Sequence, residues 1–306
     1  MSVAWVAGSV RARALARRRI GAGQARRLAA AGSLEDALRL LAATAYGRET
    51  RPGQTLAQAQ HAVAAAILWD LRVLAGWLPQ GGVALLRTLA AWFEIANADE
   101  LLAGMGGGQR GDQFTLGSLA TAWPRLRHAS SVAGLRAGLA ATAWGDVGAD
   151  SPAAVRFGMR ARWGLRLTGF GDPLLTWATA GTALLVAGQR FGSGQAIPAA
   201  ALPWLRGVLG TAADEGTLAG MAVALPARAR WVLAGVTAGS DLWRAEAAWW
   251  ARVERDGFLL LRTSANDATP VTGAAAVLAA DAWRTRAALA TAAGGGGPLE
   301  AYDAVA

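Results

Sequence analysis

The chain has 306 residues, of which 54% are hydrophobic and 17% charged, so it can bury a large core and is not disordered throughout. It contains no cysteine and no lysine, which excludes disulfide frameworks, thiolate nucleophiles, P-loop lysines and lysine Schiff bases. The net charge of +9 therefore comes from arginine, which stays protonated and does not act as a base at ordinary pH.

The sequence offers no pattern for a metal site or a membrane span. The only two histidines, His61 and His128, have no His, Cys or paired carboxylate at metal-ligand spacing, so we expect no metal and no cofactor. The most apolar stretches, 52–69 and 173–189, are interrupted by polar residues and fall short of about 20 apolar residues. Apolar residues precede the first arginines, which is the reverse of a signal peptide. We expect a cytoplasmic protein.

The predicted elements are helices from the start of the chain. An arginine-rich segment over 10–27 is predicted to form one helix or a helix broken near Gly21 and Gly23. The pattern Ser33 to Asp36 is typical of an N-cap that opens a helix reaching Tyr46. A capping-box pattern, Thr55 to Gln58, opens a long helix with an apolar stripe. A third helix follows over 83–102. The glycine-rich segment that comes next, 104–112, lacks the strand and the Lys-Ser/Thr of a phosphate-binding loop and is interpreted as a linker.

The order of segments then begins again. The heptapeptide LAATAYG starts at Leu41, and LAATAWG starts at Leu139. The surrounding segments 31–50 and 129–148 align without a gap, and each is followed by an arginine-dotted helix and a Trp-containing apolar helix. The chain is therefore predicted to contain a duplicated helical module.

A third, fainter copy is predicted from 215–225, which resembles the opening helix, and 247–262, which resembles the closing helix. Pro226 interrupts its middle. The predicted divisions are repeat 1 over 1–104, repeat 2 over 105–205, repeat 3 over 206–293, and a flexible C-terminal tail over 294–306.

These motifs, in this order, resemble the C-type central-stalk family of the V/A-type rotary ATPases of bacteria and archaea, which is related to the d-type family of the eukaryotic V-ATPases. The family's opening-helix motif is matched by Ser33, Glu35, Ala37, Leu38, Leu40, Leu41, Thr44, Tyr46 and Gly47. A second family motif is matched by Glu94, Asn97, Leu101 and Leu102, and a third, less well, by Glu246 and Glu254. The segment 271–306 extends beyond the expected end of the family pattern.

The resemblance implies an all-α protein of three related helical modules, arranged as a funnel around a pseudo-threefold axis. It implies a central-stalk adaptor that couples the membrane proteolipid ring to the central shaft, one copy within a larger complex, with no catalytic group. Such a protein is cytoplasmic and peripheral on the inner face of the cell membrane. The alternative is a standalone helical scaffold or regulator derived from the family. An enzyme would need a second carboxylate with its own environment, and Glu94 has only Asp99 and Glu100 on its helix.

Several polar residues are candidates for partner contacts: Arg11, Arg13, Arg17, Arg18, Glu94, Asn97 and Glu254. The arginines fit acidic protein surfaces or anionic lipid head groups, but they also fit a solvated helix face or internal pairs with nearby acids. Nucleic acid is not expected, because the other arginines are dispersed and no nucleic-acid motif is present. Glu94 and Asn97 fit either a partner contact or internal polar groups. The remaining signature residues are expected to be structural: Ser33, Glu35, Tyr46, Gly47, Trp144 and Gly145.

Overall fold

In the computed structural model, which describes residues 3–148, 150–296, 299 and 302, the described residues form helices and no β-strand. The all-α prediction is confirmed. In the first part of the chain the helices are α1 (Val6–Ala16), α2 (Gly21–Ala29), α3 (Leu34–Ala42), α4 (Leu56–Ala75) and α5 (Gln80–Met105). They are followed by α6 (Trp123–Leu126), α7 (Val132–Ala140), α8 (Pro152–Thr168) and α9 (Leu174–Ala187). The last are α10 (Leu202–Leu209), α11 (Leu218–Ala224), α12 (Leu242–Arg262) and α13 (Ala268–Ala293).

The predicted N-caps begin the helices. The Ser33 hydroxyl accepts a hydrogen bond from the Asp36 amide at 3.1 Å at the start of α3. Thr55 and Gln58 form a reciprocal capping box at the start of α4. These caps satisfy backbone amides that have no partner within the helix. Because each cap joins residues only three positions apart, it could be predicted from the local sequence.

Contacts group the chain into two compact units. Unit 1 contains Met1–Leu86 and Trp250–Ala306, and unit 2 contains Arg87–Trp249. A compact unit is defined by packing, whereas a repeat is defined by sequence similarity. The two compact units therefore do not test the division into three repeats, which stays a prediction.

The core of unit 1 is built around α13, which packs against α1, α2, α3 and α4. Most of its residues are buried, and many of them are alanine. Small side chains let backbones approach closely: a Cβ on Gly273 would lie 2.7 Å from the carbonyl oxygen of Gly257 on α12. The segment that extends beyond the family pattern thus forms the most central helix of this unit. Most of the predicted tail lies outside the described residues, and Tyr302 is buried.

Unit 2 has a separate apolar core in which α9 packs against α8 and α10 and shares a cluster of buried residues with α11. The glycine-rich segment predicted as a linker, 104–112, begins in the last turn of α5, which ends at Met105, and its remaining residues are not helical. Pro226 follows α11 after one residue, Leu225, and the helical segments between it and α12 are short 3-10 turns. Among the described residues, no helix combines the length and apolarity needed to cross a bilayer.

Candidate functional site

The two heptapeptides fold into the same turn. In the first copy, the Thr44 hydroxyl donates to the Leu41 carbonyl at 2.7 Å and accepts from the Tyr46 amide at 3.2 Å. In the second copy, the Thr142 hydroxyl donates to the Leu139 carbonyl at 2.8 Å and accepts from the Trp144 amide at 3.3 Å. The threonine therefore closes the end of the opening helix in both copies and directs the aromatic residue inward.

The glycine that ends each heptapeptide has a different local reason in each copy. A Cβ at Gly47 would lie 2.0 Å from the Ala42 carbonyl oxygen, so no larger residue fits. Gly145 has a φ of +73°, a conformation that side-chain-bearing residues rarely adopt. The predicted structural role of both glycines agrees with this geometry.

Trp144 donates from its indole nitrogen to Glu94 at 2.8 Å. The Glu94 carboxylate, which is fully buried, also accepts from the amides of Thr121 at 2.5 Å, Ala122 at 2.7 Å and Trp123 at 2.9 Å. The hydroxyl of Thr121 donates to it as well. These amides stand at the start of α6. The donors replace the water that the carboxylate loses on burial, so its charge is compensated inside unit 2.

In unit 1, Asp281 on α13 has the corresponding role. It is fully buried and accepts from the amides of Ile20 at 3.0 Å and Gly21 at 2.8 Å, at the start of α2. The Tyr46 hydroxyl donates to it at 2.8 Å. Burial and the negative charge of Asp281 raise the pKa of Tyr46 well above its usual value, so the phenol stays protonated as a donor.

Each unit therefore contains a buried carboxylate on a long helix. The carboxylate accepts hydrogen bonds both from the amides at the start of a short helix and from the aromatic residue of a heptapeptide. Asp281 on α13 thus has the same kinds of partner as Glu94 on α5. The closing helix of the third copy is predicted over 247–262, which is α12, and this division stays a prediction. The helix α9 contains no acidic residue and packs against its neighbours through apolar side chains.

Asn97, one turn after Glu94, is also fully buried. Its side-chain amide donates to the Phe114 carbonyl at 2.9 Å, and its side-chain oxygen accepts from the Phe114 amide at 2.7 Å. Because neither Glu94 nor Asn97 is exposed, we assign them the second of the two predicted roles, the satisfaction of internal polar groups.

The four N-terminal arginines have different environments. Arg13 donates to the carbonyls of Leu261 at 3.2 Å, Thr263 at 2.7 Å and Ala265 at 3.0 Å, and so closes the C-terminal end of α12. Arg18 forms an ion pair with Asp70 at 3.0 Å. Arg11 and Arg17 are exposed, with Arg11 near the indole of Trp77 at 5.8 Å. All four arginines were predicted as candidates for partner contacts, but the Arg13 side chain is used in hydrogen bonds within the protein.

Asp70 is a buried acid on α4 that the sequence did not single out. Burial raises its pKa, while the positive charges of Arg18, Arg48 and Arg11 oppose that change without cancelling it. Asp70 on α4 thus forms an ion pair with Arg18, which lies just after α1.

Glu254 binds Arg284 through two short contacts, at 2.6 Å and 3.1 Å. Arg284 is buried, so the pair neutralises a charge between α12 and α13. A shallow cavity of about 320 Å³ adjoins the pair and is lined by Ala251, Glu254, Arg255, Phe258, Leu259, Arg262 and Arg284. Glu35, a signature residue, accepts from the Gly53 amide at 3.1 Å and fastens the turn before α4.

Asp281 is the important residue that sequence reasoning missed. A signal was present, because it is the only acid in the 26 residues of α13, a helix made largely of alanine. An isolated carboxylate on an apolar helix must find donors. Within the part of the chain that the structure describes, no three His, Asp or Glu side chains are gathered in a way that could hold a metal ion. A comparison with models of protein families finds no match, and a comparison with curated proteins finds none.

Proposed function

We propose that this chain is the central-stalk rotor adaptor of a V/A-type rotary ATPase, coupling the membrane proteolipid ring to the central shaft in ATP-linked ion transport. In this proposal it has no chemistry of its own. It is a cytoplasmic protein, peripheral on the inner face of the membrane, with three helical repeats forming a funnel around a pseudo-threefold axis. Its partners are the proteolipid ring and the proteins of the shaft.

The observation that carries the proposal is the repeated attachment of a closing helix to an opening segment. The closing helix α5 holds α6 and the second heptapeptide through Glu94. The closing helix α13 holds α2 and the first heptapeptide through Asp281. Between them in the chain, α9 packs against α10 and shares an apolar cluster with α11.

These three attachments form a cycle along the chain, because the last closing helix holds the first opening segment. The attachment of each closing helix to an opening segment supports a set of related modules, which is what the family resemblance implies.

A coupling part must resist shear, and the attachments suit that task. Each carboxylate is surrounded by directional donors in a dry environment, where hydrogen bonds are strong and a displaced group would be left unpaired. A structure held in this way transmits torque with little deformation, and no reactive group is needed.

Recovery from the native membrane tests the proposal. The tagged chain would be purified from a mild detergent extract, with an untagged strain as the control, and its partners identified by mass spectrometry. We expect the proteolipid and the shaft proteins. Recovery of the chain alone contradicts the proposal, and recovery with unrelated soluble proteins supports the alternative, a scaffold or regulator.

A functional measurement separates coupling from assembly. Removing the chain from its cell should abolish ATP-driven ion transport into inverted membrane vesicles, while the detached catalytic head keeps hydrolysing ATP. Transport that persists without the chain contradicts a rotor role.

A further inference from the structure

The outward side of α1 is an apolar stripe. Val6 and Val10 on the helix and Val3 just before it are 42%, 61% and 87% exposed. Their spacing of three and four residues places them on one side of the helix, while Ala12 and Leu15 on the other side are buried in unit 1. All three valines keep a large exposed surface, although Val6 is more than half covered.

Positive charge borders this stripe. Residues 1–32 contain seven arginines and no acidic residue. Arg11 and Arg17 are exposed beside the valines, and Arg11 lies over the indole of Trp77, which is itself 52% exposed. The surface, which we call the α1 face, consists of Val3, Val6, Val10, Arg11, Arg17 and Trp77.

We propose that the α1 face docks on an anionic bilayer surface. The valines would enter the boundary between head groups and acyl chains, Arg11 and Arg17 would bind lipid phosphates, and Trp77 would sit at head-group level. Exposed aliphatic side chains together with arginines and an exposed tryptophan are typical of protein surfaces that lie in a bilayer interface.

Other occupants fit this face less well. Single-stranded nucleic acid would use the arginines and the tryptophan, but it gains nothing from three exposed valines. A second copy of the chain would bring two sets of uncompensated arginines together, which is unfavourable. An anionic bilayer matches both the charge and the apolar stripe.

Sedimentation with lipid vesicles tests this inference. The purified full chain would be mixed with vesicles of phosphatidylcholine alone or of phosphatidylcholine with phosphatidylglycerol. We expect binding to the anionic vesicles, weakened by salt. The variants Val6→Asp/Val10→Asp and Arg11→Gln/Arg17→Gln should each lower the partition coefficient by about tenfold or more.

Matched controls lie in unit 2. Val223→Asp places a charge on another exposed valine, and Arg228→Gln/Arg244→Gln removes two exposed arginines elsewhere. These variants should bind vesicles like the parent chain, and circular dichroism would confirm that all variants are folded.

The inference is overturned if the parent chain does not bind anionic vesicles, or if the test and control variants lose equal amounts of vesicle binding. It is also overturned if an oligonucleotide competes with the vesicles for the α1 face and binds the Val6→Asp/Val10→Asp variant as well as the parent chain. The vesicles contain no protein, so the result does not depend on the rotor proposal. If the chain binds lipid vesicles but does not co-purify with the proteolipid ring, only the rotor proposal is refuted.

Discussion

At the scale of single residues, Glu94 shows how a charged group is retained in an apolar interior. It receives backbone amides from the start of α6 and the indole of Trp144. Because these donors are themselves buried, removal of the carboxylate would leave several N–H groups without partners, which costs more than a single hydrogen bond is worth.

The Glu94→Ala substitution should therefore lower the free energy of unfolding by about 3 kcal/mol or more. Chemical denaturation of the purified chain would measure it. Glu246→Ala, at an exposed position on α12, is the control and should change stability by less than about 0.5 kcal/mol. Equal effects of the two substitutions would show that Glu94 has no special structural role.

Asp70 makes stability depend on pH. Because burial raises its pKa above the unfolded value, the folded chain holds this proton more tightly than the unfolded chain. Its contribution to stability is therefore present below the unfolded pKa and is lost as pH rises through the folded pKa.

The Asp70→Asn chain lacks this titration. Its free energy of unfolding, relative to the parent chain, should increase between about pH 3 and about pH 7. Denaturation at both pH values would measure the change, with the exposed Asp112→Asn as the control. A constant difference would mean that the pairing with Arg18 balances the effect of burial on the pKa of Asp70, and a decrease would mean that the pairing outweighs it.

At the scale of elements, the heptapeptide is a unit that ends a helix and points an aromatic side chain toward a carboxylate. Tyr46 and Trp144 differ in size and chemistry, yet each presents one polar hydrogen at the end of an apolar ring. Either Tyr or Trp is accepted at this position of the heptapeptide, because the geometry requires a hydrogen-bond donor and not a particular ring.

Gly47→Ala tests the tightness of this turn. The added methyl group would meet the Ala42 carbonyl oxygen, so the backbone must move, and we expect a loss of about 1–3 kcal/mol in the free energy of unfolding. Gly32→Ala is the matched control, since a Cβ at Gly32 has no neighbour within 4 Å. Similar stability of the two variants would show that the turn can relax.

At the scale of the whole molecule, the last long helix completes a unit that the first helices begin. α13 contacts α1, α2, α3 and α4, and the hydrogen bond from Tyr46 to Asp281 joins residues 235 positions apart. Unit 1 therefore cannot acquire its core until the C-terminal part of the chain is present.

A chain that ends at Asn266 should lose more helix than the 26 residues of α13, because α1 to α4 would be left without their common neighbour. Far-ultraviolet circular dichroism would measure the loss, and limited proteolysis would locate it in residues before 87. Addition of a peptide spanning 264–306 should restore part of the signal. A truncated chain that loses only the helicity of α13 would contradict the central place of that helix.

Features that depend on near neighbours could be predicted from the sequence alone. The Ser33 and Thr55 caps, the helical class and the two matched heptapeptides follow from spacings of a few residues, and the structure confirms them. Local hydrogen bonds and helical periodicity are written in consecutive residues, so they can be read without knowing the fold.

The pairing of distant groups is visible only in the folded chain. The sequence could not show that Asp281 binds Tyr46, that Arg13 closes α12 while Arg17 stays exposed, or that the acid of α13 has the same kinds of partner as Glu94. The partner of a buried charge is set by packing between elements far apart in the chain, and no local pattern encodes that choice.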